Sequence, residues 1–189
     1  MGIANKARPW CVRLLGVFAA AALVAMLAQA QAPASEDAVE AAYLHKFPGF
    51  VDWPADAFKS PTSPIVIGLV GAPAVFDELT KVARGRLVLN RPVEAQLLEK
   101  AELPPDLHVL FIGKDAATDA KRLVEQARRA HLLIVTDIPE GLKTGAVLDF
   151  VRIEGRLRFE ASLPAASRAG IRLSSKLLSV ASKVVEETP

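Results

Sequence analysis

The chain has 189 residues, 23 Lys and Arg against 21 Asp and Glu, and a single cysteine, Cys11. That length allows one ordinary domain with a self-sufficient core, or at most two small ones. A lone cysteine near the start excludes a disulfide framework, a Cys-ligated zinc and an iron–sulfur cluster in the rest of the chain, and the nearly balanced charge gives no electrostatic footprint for nucleic acid.

Lys6, Arg8 and Arg13 make a basic start, Leu14 to Leu27 is an uncharged apolar run, and Ala28-Gln29-Ala30 is a small-residue cleavage pattern. Residues 1–30 are therefore expected to be a secretory signal peptide, and the run is short for a membrane span. Cleavage after Ala30 leaves 159 of the 189 residues and removes three basic side chains but no acidic one, so 20 bases face 21 acids. The expected location is outside the cytoplasm. Residues 31–35 read as a disordered Ala/Pro tether, and 36–189 as one α/β domain.

Ser35 is placed to cap a helix that opens on Glu36-Asp37, with Val39, Ala42, Tyr43 and Phe47 at helical spacing. Pro48-Gly49 should kink or stop it, and Phe50, Val51 and Trp53 form an aromatic group closed by Pro54. Such a group packs a small core or lines a pocket. Ile65 to Val70 is a continuous apolar run, the mark of a strand covered on both faces. Val75, Phe76, Leu79 and Val82 then space a helix. Residues 86–93 read as a second strand and 107–112 as a third, residues 115–130 as a charged amphipathic helix, and 132–135 as a fourth strand. This alternation predicts a mixed, mostly parallel sheet flanked by helices.

The last third should be antiparallel. Residues 147–153 and 156–162 form a hairpin, and a three-residue loop, Glu154-Gly155-Arg156, would pair Ile153 with Leu157 and Val151 with Phe159 on one apolar face. Phe150, Arg152, Arg158 and Glu160 would then share the other. Pro164 opens a short helix, and Ser174 or Ser175 caps a final one carrying Leu177, Leu178, Ala181, Val184 and Val185.

Linear motifs for catalysis are missing. His45, His108 and His131 have no metal-ligand spacing, and no carboxylate pair can be proposed from sequence. Gly68 to Gly71 lacks the third glycine of a dinucleotide turn, and Ser174-Ser175-Lys176 is not a Ser-x-x-Lys motif. Metal, cofactor and catalytic residues are expected to be absent. The remaining feature is a charged, partly apolar hairpin face, with Leu148, Phe150, Arg152, Arg158 and Glu160 followed by Arg168 and Arg172. It reads either as a solvated sheet face or as a surface that docks another protein.

Residues 41–47, AAYLHKF, and 50–54, FVDWP, resemble the opening of the YfiR-like periplasmic proteins. Residues 67–71, IGLVG, resemble that family's first strand, and LRFEASL at 157–163 with AGIRLSSKLL at 169–178 resembles its C-terminal signature. The resemblance implies a non-catalytic periplasmic α/β domain, often a homodimer. It implies binding to the periplasmic sensor part of an inner-membrane diguanylate cyclase, which it represses, with an outer-membrane OmpA-like lipoprotein able to sequester it. Cyclic di-GMP and biofilm would fall when it acts. Leu148, Glu160, Ala166, Arg168 and Arg172 match the implied contact region. Two features depart from the family: there is no cysteine after Cys11 to form the disulfides of some members, and Ser162 stands where Asn is frequent. The alternative is a small-ligand sensor reporting to a sensor kinase or transporter, and the lesser one an enzyme outside the cytoplasm.

Overall fold

Serine hydroxyls cap several of the helices by accepting one of their first amides. In the computed structural model, which describes residues 34–99, 103–127 and 131–187, the Ser35 hydroxyl accepts the Ala38 N–H at 3.2 Å and opens α1, Glu36–Lys46. Glu36 and Asp37 lie at its positive end, and His45 and Lys46 at its negative end. Pro48-Gly49 converts the chain to a 3-10 turn, Phe47–Phe50. The short β1, Val51–Asp52, follows. The predicted leader lies outside the described residues. No helix among those described is long and apolar enough to cross a membrane.

The sheet is built from β2, Ile65–Val70, and β4, Arg91–Leu97, with β5, Val109–Ile112, and β6, Leu133–Thr136. All of these pair in parallel, as β4-β2-β5-β6. Every residue of β2, β5 and β6 is buried, which is why each reads as an unbroken apolar run. One face packs on α1 and on α2, Pro73–Ala83, through Leu44, Val75 and Leu79. The other packs on α3, Ala120–Ala127, through Leu123, Val124 and Ala127. A 3-10 turn, Lys114–Asp119, precedes α3, so the helix starts five residues later than its charge pattern suggested; residues 128–130 lie outside those described.

The Gly-Leu-Val-Gly stretch is explained by packing. Gly71 takes φ +65°, and a Cβ there would meet the backbone of Ala116. The turn at the end of β2 is filled by protein, where a phosphate loop would leave room. The expected strand over 86–93 is instead a hairpin: β3, Leu87–Val88, turns at Leu89-Asn90 and runs back antiparallel to β4. Leu89 and Asn90 both have positive φ, 53° and 59°, the signature of a two-residue type I′ turn.

The C-terminal third adds β7, Leu148–Ile153, β8, Arg156–Ser162, α4, Leu163–Arg168, β9, Arg172–Leu173, α5, Ser175–Leu178, and β10, Lys183–Val185. The full order is β10-β8-β7-β6-β5-β2-β4-β3, and β9 pairs with β1 in a separate ribbon. The long final helix expected from sequence is therefore corrected. The Ser174 hydroxyl caps a four-residue helix, and Val184 and Val185 belong to a strand parallel to β8. Open sheet edge is available there, and two adjacent β-branched residues fit a pleated strand better than a helix end.

Trp53 is half-buried and packs against the core. Its indole N–H donates to the Pro48 carbonyl at 3.0 Å, and its ring meets Phe58 and His108 edge-on. His108 accepts from the Val66 N–H and holds the Ala57 carbonyl through Nε2. Burial holds its pKa below the usual histidine value, so the neutral ring ties the 53–64 loop to β2.

Candidate partner interface

The β7–β8 hairpin decides which side chains this end of the sheet can offer. Its loop is two residues, Glu154-Gly155, with φ of 51° and 72°. The register is Phe150 opposite Phe159, Val151 opposite Arg158, and Ile153 opposite Arg156. The three-residue loop and its register are thus corrected by one residue, which exchanges the faces. The inner face carries Leu148, Phe150, Leu157, Phe159 and Ala161. Phe150 and Phe159 close an aromatic core with Tyr43 of α1 and Phe47 of the 3-10 turn after it, at centroid distances of 5.2–5.9 Å. The expectation favoured the other register because it gathers Val151, Ile153, Leu157 and Phe159 on one face, whereas the observed one pairs Val151 with Arg158.

Arg152 instead turns toward α1. Its Nε donates to Glu36 at 2.8 Å, its Nη2 also bonds Glu36, and its Nη1 lies 3.3 Å from Asp137. Lys114 bridges the same two carboxylates at 3.1 Å each. Glu40, one turn along α1, is buried beside them, with Arg152 Nη2 3.9 Å away and no hydrogen bond to its Oε1. Three carboxylates and two cations leave one negative charge over. A proton absorbs it: burial, then the Asp137 charge, pushes Glu40 up to about 8. The hydrogen bond from Arg152 holds Glu36 down to about 2. The oxygens of Glu36, Glu40 and Asp137 lie within 4.8 Å of one another, close enough to share a cation, but Lys114 and Arg152 already supply that charge. Sequence reasoning found no carboxylate group because these residues come from α1 and the end of β6, about a hundred positions apart.

Asp149 is a further buried acid, outside this cluster. It accepts the Thr136 hydroxyl at 2.7 Å and the Gly141 N–H at 2.9 Å. Burial outweighs those bonds and raises it to about 6. It anchors the 3-10 turn Gly141–Thr144 between β6 and β7. A Cβ on Gly141 would overlap both the Thr136 hydroxyl and the Asp149 carboxylate. Gly141→Ala is expected to cost about 1–3 kcal/mol by overpacking, read as a lower urea midpoint. An unchanged midpoint would mean that the turn moves aside freely.

These facts sort the expected contact residues. Leu148, Phe150 and Ala166 are at most 3% exposed, so their placement on a docking surface is corrected: they pack the core. Arg152 is committed to the carboxylates. Arg158 is exposed on the outer face beside Val151. Glu160 and Arg168 line one cleft of about 1020 Å³ with Leu142, Pro164 and Lys183. Arg172 is exposed on the β1–β9 ribbon, 3.8 Å from Asp52. The buried apolar layer beneath α3 ends at β6 and Ala146. The outer face of the hairpin therefore stays open, with Ile153 44% exposed and Val151 half-buried among Arg156 and Arg158. Val151 and Ile153 are the apolar residues that the sequence reading missed here.

Among the curated proteins compared, none matches the chain. Residues 37–182, which run from α1 to the residue before β10, match the model of the YfiR/HmsC-like family, DUF4154, and with that match covering most of its length the chain belongs to this family.

Proposed function

We propose that the protein is an exported periplasmic regulator that represses an inner-membrane diguanylate cyclase by binding its periplasmic sensor region, lowering cyclic di-GMP and biofilm formation. The family is a regulatory, generally non-catalytic one associated with diguanylate cyclase systems. The observation that carries the finer reading is the open outer face of β7–β8: aliphatic Val151 and Ile153 set among Arg156 and Arg158, with the Glu160–Arg168 cleft beside it. An apolar centre with charged flanks is the anatomy of a protein contact. Repression requires an interface of ordinary size, on the order of 1,600 Å², and tighter binding to the inactive cyclase than to the active one. Capture by an OmpA-like lipoprotein would compete for the repressor, and a homodimer would present two such faces.

Deleting the gene is expected to raise cellular cyclic di-GMP, and the wild-type gene to restore it. Glu160→Lys should fail to restore it while the purified variant keeps its circular dichroism spectrum. Unchanged cyclic di-GMP in the deletion would count against repression. The cleft also supports a second reading, a small-ligand sensor coupled to a kinase or transporter. Saturable binding of one small molecule, together with no cyclase effect, would select it.

A further inference from the structure

The β3–β4 hairpin, at the sheet edge opposite β10, has chemistry that folding does not explain. Leu87 is 63% exposed and Leu89 50% exposed, while Val88 between them is buried and faces Gly49. Leu89 also occupies the first central position of the type I′ turn, with φ 53°. That position favours Asn, Asp or Gly, and a leucine there is strained without gaining burial. Basic residues stand near this hairpin. Arg84 and Arg86 are exposed just before β3. Lys46 is exposed at the end of α1, and its charge and that of Arg86 both reach His45. None of Lys46, Arg84 and Arg86 has an acidic partner among the described residues.

Two features separate the possible occupants. The free edge of β3 is two residues long, too short to template a strand of another protein. A second copy docked tip to tip would bring Arg84 and Arg86 against their own equivalents. An anionic lipid surface needs no strand register and pairs favourably with unpaired cations. We propose that the tip of this hairpin docks the protein on an anionic phospholipid bilayer. Leu87 and Leu89 enter the boundary between headgroups and acyl chains, and Lys46, Arg84 and Arg86 face the phosphates. The contact is shallow and reversible. It goes beyond the cyclase reading and does not depend on it, although a regulator held at a membrane meets a membrane target at higher effective concentration.

The test uses protein exported with its own leader and purified from the periplasmic fraction, its mass showing that residues 1–30 are gone. Cosedimentation is measured with vesicles of phosphatidylethanolamine and phosphatidylglycerol, and with phosphatidylcholine alone. The wild type is expected to bind the anionic vesicles, and to be released at about 1 M salt, where the Debye length is about 3 Å. Leu87→Ser with Leu89→Asn should lower the partition coefficient at least about tenfold. Asn suits the turn, so Leu89→Asn alone should melt no lower than wild type, which separates lost docking from lost folding. Arg84→Glu with Arg86→Glu should abolish the preference for anionic lipid. The proposal is overturned if wild type does not sediment, if it binds neutral vesicles equally well, or if the leucine variant binds like wild type. It is also overturned if the leucine variant dissociates a dimer in lipid-free solution, which would assign the tip to a second copy.

Discussion

Phe150→Ala is expected to destabilise the protein by about 3–5 kcal/mol, the usual cost of emptying a buried aromatic site. Phe150 is 3% exposed and touches three rings besides its cross-strand partner: Tyr43 at 5.8 Å, Phe47 at 5.8 Å and Phe111 at 6.2 Å. Its neighbour Val151 points the other way, so Val151→Ala should cost less than about 1 kcal/mol. Urea denaturation of the two variants measures both. The opposite ranking would put Val151 in the core, and would restore the register in which it faces Phe159. The ranking also governs how partner-binding variants are read. Loss of repression by a Phe150 variant reports unfolding, whereas loss in a folded Glu160 or Arg158 variant reports contact.

The second large effect is a stability that declines from mildly acid to alkaline pH. Glu40 has a pKa of about 8 in the fold, against an ordinary value of 4.5. Between those values the folded state holds a proton that the unfolded chain has released. Stability from this group is therefore complete below about 4.5 and is lost as pH rises through about 8, at most about 1.4 kcal/mol per pH unit. Asp149, raised from 3.8 to about 6, acts in the same direction over its own lower window. Glu36 acts oppositely: with a folded pKa of about 2, its contribution is present above about 4.5 and disappears as pH falls toward 2. Solvent screens that contribution, because its side chain is 42% exposed. Urea midpoints should thus fall between about pH 5 and about pH 9. Glu40→Gln, which mimics the protonated acid, should remove most of the slope above about pH 6 while changing little at acid pH. A wild-type midpoint that stays level across this range would show that the five-group cluster takes up no extra proton.

The hairpin and the carboxylate cluster show why parts of the molecule escaped the sequence. Both Ile153 and Leu157 are apolar and flank the turn, so a three-residue loop that pairs them is locally attractive. The choice between two and three residues rests on what lies beneath the sheet: α1 and the turn that follows it bring Tyr43 and Phe47 to receive Phe150, and α1 brings Glu36 to receive Arg152. Those partners are more than a hundred residues away in the chain. The leucine at the β3–β4 turn hid that hairpin in the same way, because the usual Asn-Gly signal was absent and the stretch from 86 to 93 read as continuous.

By itself the sequence determined the elements whose chemistry is local. The Ser35 cap, the break at Pro48-Gly49, the fully apolar strands β2, β5 and β6, the amphipathic α2 and the mixed sheet all follow from capping, backbone restriction and periodicity within a few residues. The ordered motifs from Ala41 to Leu178 likewise carried the family. Only the tertiary structure decided which face of β7–β8 is buried, that Val184 and Val185 form an edge strand, and that Glu36, Glu40, Asp137, Lys114 and Arg152 form one charge-balanced group. Each of those outcomes depends on burial against, or charge shared with, residues distant in the chain, and that energy does not exist until the elements have packed.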